Sequence, residues 1–259
     1  MKNYRHIPFE GMENARDLGG YATMDGGITR YGVYIRTELP EGLTAADWRL
    51  IREYNIVRSL DFRMSDENIA EPSDFTNAEG IEYIQVPMWD RNAAAGSKSE
   101  QEKRPAPPKD FIMPDWNITY IGMLDRHKEW AAKLMPLLLP ENGGCVQFNC
   151  FTGKDRSGIC AAMLLSIAGV SEEDICADYS LSMAYLGRRY DAVTERMHLP
   201  LDADGKPDLS RGFCATLPSF MRRTLAYVDQ NYGSMIGYLR ACGVTDETMN
   251  AIRARFVEY

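Results

Sequence analysis

The 259-residue sequence lacks any apolar stretch long enough to cross a lipid bilayer, which takes about 20 residues. Its longest apolar run, residues 159–170, is interrupted by Ser166 and Gly169. Residues 1–18 contain no apolar core of the kind that a secretory signal peptide needs. We therefore expect a cytoplasmic protein without a transmembrane segment.

The sequence also lacks an excess of positive charge. It has 29 lysines and arginines against 37 aspartates and glutamates, which gives a formal net charge of −8. Nucleic acids and anionic membranes attract proteins that carry positive surface charge, so an acidic chain is not expected to bind either of them. A small anionic ligand needs only a local positive site, and it remains compatible with this composition.

Residue patterns that bind metals or nucleotides are missing. The three histidines, His6, His127 and His198, lie far apart and do not have metal-ligand spacing. The six cysteines form no C-x-x-C pair, which in a chain of this length indicates the thiols of a reducing compartment and not a disulfide framework. A glycine-rich nucleotide motif is absent as well. We expect neither a metal nor an organic cofactor.

What is present is an alternation of strand-like and helix-like segments. The composition, 45% hydrophobic with 21 glycines and 13 prolines, is that of a globular chain. The predicted elements are a hairpin over residues 20–36, a helix over 43–54 capped by Thr44, strands over 56–62, 81–86 and 145–150, a helix over 157–168, and a last helix capped by Thr245. Strands separated by helices favour an α/β fold in which a central, mainly parallel sheet is flanked by helices.

One segment interrupts this alternation. Residues 91–110 are polar and proline-rich, and a loop of that length within a compact domain is typically a functional lid or a disordered insertion. We expect residues 1–259 to form a single domain, with a lid-like insertion at about residues 91–115 and a mostly helical C-terminal part.

Residues 149–158, with the sequence NCFTGKDRSG, carry the clearest chemical pattern. Five residues separate Cys150 from Arg156 between a predicted strand and a predicted helix, a length over which backbone N–H groups can converge on one anion. Arg156 can then hold two phosphate oxygens, and the same positive surroundings favour the thiolate of Cys150 as a nucleophile. The pattern predicts a phosphate-binding loop around a reactive cysteine. The simpler alternative is a buried cysteine near a surface arginine.

The string from Cys150 to Gly158 resembles the Gly-Lys-Asp-Arg phosphate loop of the atypical bacterial tyrosine and phosphoinositide phosphatases. Other segments are similar to motifs of this family in the same order: N-A-R-D-L-G-G at 14–20, Y-I-R-T at 34–37, L-D-F-R at 60–63, and Y-G-S followed by Y-L at 232–239. The resemblance implies a cysteine-phosphatase-like fold and phosphomonoester hydrolysis through a phosphocysteine intermediate. It also implies phosphotyrosine substrates, phosphoinositides as a second class, and inorganic phosphate or another oxyanion as a ligand of the loop.

The resemblance also suggests roles for further residues. Asp90, which follows the strand predicted at 81–86, is the candidate general acid, with Asp155 and Asp61 as competitors and a plain turn-capping role as the alternative. Ser157 is expected to hydrogen-bond the cysteine sulfur and ease its departure, or simply to begin a helix. The residues expected to bind the phosphate are Phe151, Thr152, Gly153, Lys154, Asp155 and Arg156.

The supporting residues have two kinds of role. Lys154 either adds positive charge at the mouth of the loop, which would suit a second phosphate on an inositol ring, or pairs internally with Asp155. Asp61 and Arg63 are expected to orient the loop from behind. Arg16 and Asp17, within the motif at residues 14–20, are expected only to tie down the N-terminal segment.

One position departs from the family pattern. The family usually has histidine immediately before the nucleophile, whereas this chain has Asn149, which cannot carry a positive charge but can hydrogen-bond and hold the loop. We expect a weakened thiolate at Cys150, and a phosphate-binding pseudophosphatase that recognises phosphorylated partners is the alternative function. A sulfur transferase or reductase is a third reading, for which Cys145 and Cys160 flank the loop although no resolving cysteine lies within it.

Overall fold

The computed structural model describes residues 4–89, 116–186, 201–206, 208 and 215–259. The strands are β1 (Arg16–Asp17), β2 (Ile28–Thr29), β3 (Tyr34–Thr37), β4 (Ile56–Asp61), β5 (Glu82–Gln85), β6 (Cys145–Asn149) and β7 (Val257–Glu258). The helices are α1 (Ala45–Glu53), α2 (Ser65–Ala70), α3 (Trp116–Arg126), α4 (Lys128–Leu137), α5 (Arg156–Ala168), α6 (Glu172–Ser180), α7 (Ser182–Tyr185), α8 (Pro218–Tyr232), α9 (Met235–Ala241) and α10 (Asp246–Phe256).

The central sheet has five strands in the order β1-β3-β6-β4-β5. Strands β3, β6, β4 and β5 run parallel to one another, and β1 pairs antiparallel with β3 at the edge. The middle strand β6 is buried along its whole length, as expected for a parallel strand that is covered on both faces. The prediction of an α/β fold with a mainly parallel sheet is confirmed.

Side chains that alternate along the strands form a hydrophobic core on each face of the sheet. On one face, Val146 and Phe148 of β6 belong to the core that includes α4, α5, α8, α9 and α10. On the other face, Cys145 packs in a core with Ile35 of β3, Ile51 of α1 and the N-terminal segment. Successive residues of a strand point to opposite faces, so the pattern of β6 itself produces the two layers. Helices flank the sheet on both sides, as predicted.

Helix boundaries follow local signals in the sequence. Thr44 accepts a hydrogen bond from the N–H of Asp47 at the start of α1, and Thr245 accepts one from Thr248 at the start of α10. Both N-caps are confirmed. Gly169 ends α5 in the left-handed conformation, where a residue without a side chain is favoured.

The hairpin predicted over residues 20–36 is wrong in its extent. A tight turn is present, in which the N–H of Thr23 donates to the carbonyl of Gly27 at 2.9 Å and Ala22 bridges to Ile28. Beyond this turn β2 pairs with the C-terminal strand β7, and β3 enters the central sheet. All four residues of β3 are buried, which a two-stranded surface hairpin cannot provide.

The C-terminal part is mostly helical, as expected, and consists of α8, α9, α10 and the short strand β7. Within the described residues, no helix has the length and apolar character needed to cross a bilayer. The cysteines of the described part are free thiols, while Cys214 lies outside it. The insertion predicted at about residues 91–115 and the candidate acid Asp90 also lie outside the described residues.

Candidate active site

The loop that contains Cys150 lies at the carboxyl edge of the central sheet. β6 ends at Asn149, and α5 begins at Arg156, so the predicted strand, loop and helix are all present. Strands β3 and β4 end at the same level, because Thr37 and Asp61 both pair with Asn149. Open α/β sheets bind their ligands at this edge. Cys150 is buried at the base of the loop, with 1% of its surface exposed.

Gly153 allows the loop to close against the end of β3. Its φ angle is +67°, in the left-handed region, and a Cβ at this position would overlap the carbonyl group of Thr37. Both the conformation and the lack of space therefore require glycine here.

Residues outside the loop hold its first carbonyl groups. The N–H of Leu39 donates to the carbonyl of Phe151 at 3.1 Å, and Asn14 Nδ2 donates to the carbonyl of Thr152 at 2.9 Å. Asn14 belongs to the motif at residues 14–20. Through Asn14, this motif contacts the loop directly.

Arg36 of β3 holds the next carbonyl groups. Its Nη2 donates to the carbonyls of Gly153 at 2.7 Å and Lys154 at 3.3 Å. Its Nη1 bonds the carboxylate of Asp178 on α6, which also accepts from Arg16 Nε at 3.3 Å. Burial alone would raise the pKa of the Asp178 carboxyl, but the charges of Arg36 and Arg16 outweigh burial and lower it. No sequence pattern pointed to Asp178, which lies 142 residues after Arg36.

The guanidinium of Arg156 is bound at one end. Nη1 and Nη2 donate to Glu67 of α2 at 2.8 and 3.0 Å, and Nη1 also donates to the carbonyl of Phe62 at 3.1 Å. A guanidinium can make a two-point contact through either of two edges: the end edge, formed by Nη1 and Nη2, and the side edge, formed by Nε and Nη2. Among the described residues, the contact with Glu67 occupies the end edge and leaves the side edge, Nε with Nη2, for an oxyanion.

Glu67 is a site residue that the sequence reading did not identify. It lies 89 residues before Arg156, and its only sequence signal is a glutamate shortly after L-D-F-R that can cap a helix, which it does by accepting the N–H of Met64 at 2.7 Å. Burial raises the pKa of Glu67, but its hydrogen bonds with Arg156, the nearby positive charges and the N–H of Met64 together outweigh burial and lower it. Burial lowers the pKa of Arg156, but the hydrogen bonds with Glu67 and the nearby negative charges together outweigh burial and raise it. The pair is therefore fully charged.

Ser157 lies in the first turn of α5 and is fully buried. Its Oγ has no hydrogen-bond partner among the described residues. The hydrogen bond to the sulfur of Cys150 that we expected is therefore not formed in this structure. A buried hydroxyl without a partner is costly, so Ser157 is ready to bond a group that enters the loop.

Lys154 does not display its charge at the mouth of the loop. Its side chain is completely buried, and Nζ lies 3.5 Å from Asp155 Oδ1. The same oxygen accepts the hydroxyl of Tyr120 at 2.5 Å, and that hydroxyl lies 2.6 Å from the hydroxyl of Tyr179. Burial, followed by the charge of Asp155, raises the pKa of Tyr120. The alternative of an internal Lys–Asp pair is confirmed, and it ties the loop to α3 and α6.

Asp61 and Arg63 form a buried ion pair behind the site. Arg63 Nη2 lies 2.7 Å from Asp61 Oδ2, and Arg63 Nη1 donates to the carbonyl of Glu71 at 2.5 Å. Tyr83 donates its hydroxyl to the same carboxylate at 2.8 Å. The hydrogen bonds of these two side chains fix the chain on either side of α2. Asp61 and Arg63 thus contact the segment that carries Glu67, and Glu67 contacts Arg156.

Asn149 belongs to a neutral hydrogen-bond chain across the sheet. Gln147 Nε2 donates to Asn149 Oδ1 at 3.1 Å and to Thr37 Oγ1 at 2.7 Å. Ser59 Oγ donates to the side-chain oxygen of Gln147 at 2.6 Å. The amide of Asn149 in turn donates to the carbonyl of Cys150 at 3.3 Å. Asn149 thus holds the first residue of the loop by a hydrogen bond, as expected, and contributes no positive charge.

Trp89 approaches the site from the end of β5. The centroid of its ring lies 5.3 Å from the guanidinium carbon of Arg156, and a second face contact joins it to His127, with ring centroids 5.4 Å apart. Asp90 is the next residue of the chain and lies outside the described residues.

The described residues contain no group of three or more histidines, cysteines or carboxylates that could hold a metal ion. The cysteines that flank the loop are buried, and burial raises the pKa of both Cys145 and Cys160. A thiol needs its thiolate form to resolve a disulfide or accept sulfur. The geometry therefore does not favour the sulfur-transferase or reductase reading.

Comparisons with known proteins agree on one family. The family model described as tyrosine phosphatase family matches residues 7–258. A Cupriavidus necator protein that carries the name of a tyrosine-protein phosphatase is 26% identical over 238 residues, covering 91% of this chain and 84% of that protein. A tyrosine-protein phosphatase of Nostoc commune is 24% identical over 224 residues, covering 86% and 73%. The triple specificity protein phosphatase PtpB of Mycobacterium tuberculosis is 29% identical over 119 residues, 43% of each chain.

Proposed function

The chain belongs to the tyrosine phosphatase family and is a phosphatase, and we propose that it hydrolyses phosphotyrosine through a phosphocysteine intermediate on Cys150. One observation carries this proposal. The buried Cys150 lies at the base of a loop whose carbonyl groups are held from outside, and the side edge of Arg156 is left for an oxyanion. We propose that residues 1–259 form one phosphatase domain.

In the first step, the sulfur of Cys150 attacks phosphorus while the bond from phosphorus to the tyrosyl oxygen breaks. The loop N–H groups and the side edge of Arg156 hold the equatorial oxygens, over which negative charge is spread in the transition state. Glu67 fixes the other end of the guanidinium, so that Arg156 meets the phosphoryl group already oriented.

Asp90 is proposed as the acid that protonates the leaving tyrosyl oxygen. The position of Trp89 beside Arg156 supports this choice, because Asp90 directly follows Trp89. The competitor Asp155 accepts the hydroxyl of Tyr120 and faces the ammonium of Lys154. Both contacts suit a charged acceptor and not a proton donor. Asp61, the other competitor, is committed to its ion pair with Arg63.

In the second step, water attacks the phosphocysteine and the sulfur–phosphorus bond breaks. The Asp90 carboxylate formed in the first step takes a proton from that water, and inorganic phosphate leaves. The departing sulfur needs a hydrogen-bond donor. Ser157 is proposed for this role because its buried Oγ has no partner in the described structure.

Phosphotyrosine is the substrate class that the proposal puts first. The two relatives that match most of this chain are both named as tyrosine-protein phosphatases. Phosphoinositides are the second class. A lysine at the mouth of the loop would have favoured them, because it could bind a second phosphate on the inositol ring. The burial of Lys154 against Asp155 removes that reason.

Hydrolysis of para-nitrophenyl phosphate without added metal, from mildly acidic to neutral pH, tests the proposal. Wild type should turn over, and Cys150→Ser should not. Cys242→Ser is the matched control, because this half-buried cysteine ends α9 and its N–H donates to the carbonyl of Tyr238 in that helix; it should keep wild-type activity. A phosphotyrosine peptide should then be hydrolysed faster than a soluble phosphoinositide.

The pseudophosphatase alternative makes the opposite prediction. Wild type would bind vanadate or phosphate but would not hydrolyse the aryl phosphate. That result would indicate that Asn149 is responsible for the loss of hydrolysis, because it is the residue at which the loop departs from the family pattern. A thiol pKa for Cys150 close to the free value of about 8.5 would agree with that outcome.

A further inference from the structure

Four successive carbonyl groups of the loop, those of residues 151–154, accept hydrogen bonds from groups outside it. The peptide unit is planar and trans, so its carbonyl and the N–H of the next residue point in opposite directions. Holding these carbonyls outward therefore turns the N–H groups of residues 152–155 toward the interior of the loop. This orientation is the one that an anion requires.

Arg36 makes the largest share of these contacts, through one nitrogen that bonds two carbonyls. It is completely buried on β3, and its position is fixed from the far side by the carboxylate of Asp178. Tyr21 donates its hydroxyl to that carboxylate at 3.3 Å, and Arg16 pairs with it as well. The strand β3, the helix α6 and the N-terminal segment thus converge on the carboxylate of Asp178.

The charges in this cluster do not cancel. Arg16 and Arg36 share the single carboxylate of Asp178, so two positive side chains face one negative side chain within this cluster. Charges separated by protein interior interact more strongly than the same charges in water. The position directly before the nucleophile is occupied by the neutral Asn149. The buried guanidinium of Arg36, which hydrogen-bonds the carbonyls of Gly153 and Lys154, therefore supplies positive charge next to the loop.

We propose that Arg36 is a positioning residue for the phosphate loop: together with Asn14 and held by Asp178, it orients the loop N–H groups toward the anion and supports the thiolate of Cys150. This inference rests on the proposed function of the loop as a phosphate site. Arg36 does not touch the substrate. It acts through the carbonyls of Gly153 and Lys154, while Asn14 acts through the carbonyl of Thr152.

A purely structural role is the competing explanation, because a buried ion pair that joins β3 to α6 also affects folding. The two explanations differ in what happens to the loop when the protein still folds. A structural role changes the melting temperature alone. A positioning role also changes the ionisation of Cys150 and the affinity for an oxyanion.

Arg36→Lys and Asn14→Asp separate the two explanations. Lysine keeps the charge but cannot reproduce the planar contact with two carbonyls. Aspartate keeps the size of Asn14 and an acceptor for Arg16, but it removes the donor to Thr152. Asp17→Asn is the matched control, because Asp17 is buried in the same N-terminal motif and bonds the N–H groups of Gly19 and Gly32, away from the loop.

The experiment measures two quantities for each folded variant. One is the pH dependence of Cys150 alkylation by iodoacetamide, with the modified peptide identified by mass spectrometry. The other is protection of Cys150 by vanadate. In Arg36→Lys and Asn14→Asp, we expect the apparent thiol pKa to rise by about one unit and vanadate affinity to fall about tenfold. Asp17→Asn should change the melting temperature and neither of these quantities.

Wild-type values of both quantities in folded Arg36→Lys and Asn14→Asp would overturn the proposal. If Arg36→Lys does not fold, Asn14→Asp decides it on the same two measurements. Neither measurement needs turnover. If wild type binds vanadate but is inactive, and the variants bind vanadate more weakly, the proposed hydrolysis is refuted and the positioning role is supported.

Discussion

Glu67 binds the end of the Arg156 guanidinium through two hydrogen bonds of 2.8 and 3.0 Å, and it does so from a different element of the fold. Arg63, which pairs with the buried Asp61, donates to the carbonyl of Glu71 at the end of the helix that carries Glu67. The orientation of the loop arginine therefore depends on the end of β4 as well as on the loop.

Removing the charge of Glu67 tests this dependence. In Glu67→Gln, one carboxylate oxygen becomes an amide donor that faces another donor, so one of the two contacts is lost. We expect kcat/KM for an aryl phosphate to fall about 10- to 100-fold, the equivalent of the roughly 1.5–3 kcal/mol of a hydrogen bond to a charged group. Asp66→Asn makes the same charge change on the exposed side of α2 and should leave kcat/KM near the wild-type value. Equal kinetics in the two variants would contradict the role of Glu67.

Trp89 should contribute to oxyanion affinity through its contact with Arg156. A ring over a guanidinium is worth about 0.5–2 kcal/mol, so Trp89→Leu should weaken vanadate binding by about 2- to 30-fold. Trp89→Phe keeps an aromatic face and should retain most of the affinity. The measurement is vanadate inhibition of aryl phosphate hydrolysis, and identical inhibition constants in Trp89→Leu and wild type would show that the contact does not matter.

The general acid can be identified by comparing substrates whose leaving groups differ in how much they need a proton. Asp90→Asn should lose about 10²- to 10⁴-fold in kcat/KM, which reports the first chemical step, with phenyl phosphate, and far less in kcat/KM with para-nitrophenyl phosphate, whose leaving group departs without a proton. Asp155→Asn removes the partner of Tyr120 and Lys154. It should therefore slow both substrates by the same factor and lower the melting temperature. A leaving-group effect in Asp155→Asn and none in Asp90→Asn would reverse the assignment.

Asp17 should make stability depend on pH. It is buried, and burial raises the pKa of its carboxyl to about 6 despite hydrogen bonds from Gly32 and Gly19. The unfolded chain has an ordinary carboxyl pKa of about 3.9. The native state therefore binds the proton more tightly, and this contribution to stability is complete below about pH 4 and lost as the pH rises to about 6.

Asp17→Asn removes this dependence. The free energy of unfolding of the variant, taken relative to wild type, should rise by about 3 kcal/mol from well below pH 4 to well above pH 6, which corresponds to roughly two pKa units. Urea unfolding at a series of pH values measures it. Parallel stability curves for the two proteins would mean that the carboxyl of Asp17 titrates normally in the fold.

Features that depend on neighbouring residues could be predicted from the sequence. Thr44 and Thr245 cap helices because the hydroxyl and the N–H that it accepts lie three residues apart. The loop from Cys150 to Arg156 was visible for the same reason, since a strand end, a short loop and a helix start follow one another. The hairpin over residues 20–36 was predicted on equally local grounds, but burial in the central sheet determined the pairing of β3.

The partners of buried charges could not be predicted in this way. Arg156 meets Glu67, and Arg36 meets Asp178, across 89 and 142 residues. Which charge meets which follows from how the strands are ordered in the sheet, and composition and spacing do not contain that order. The burial of Lys154 has the same origin, because a loop residue faces outward or inward according to what packs behind it.

Trapping the phosphocysteine is the most direct test of whether the phosphoryl group passes through Cys150. Asp90→Asn with para-nitrophenyl phosphate should form the phosphocysteine normally but hydrolyse it slowly, because the base for the second step is missing. After acid quench, mass spectrometry should find a phosphoryl group on the peptide that contains Cys150, and none in a parallel sample of Cys150→Ser. Hydrolysis of the substrate with no phosphoryl group on Cys150, or continued turnover by Cys150→Ser, would contradict the account.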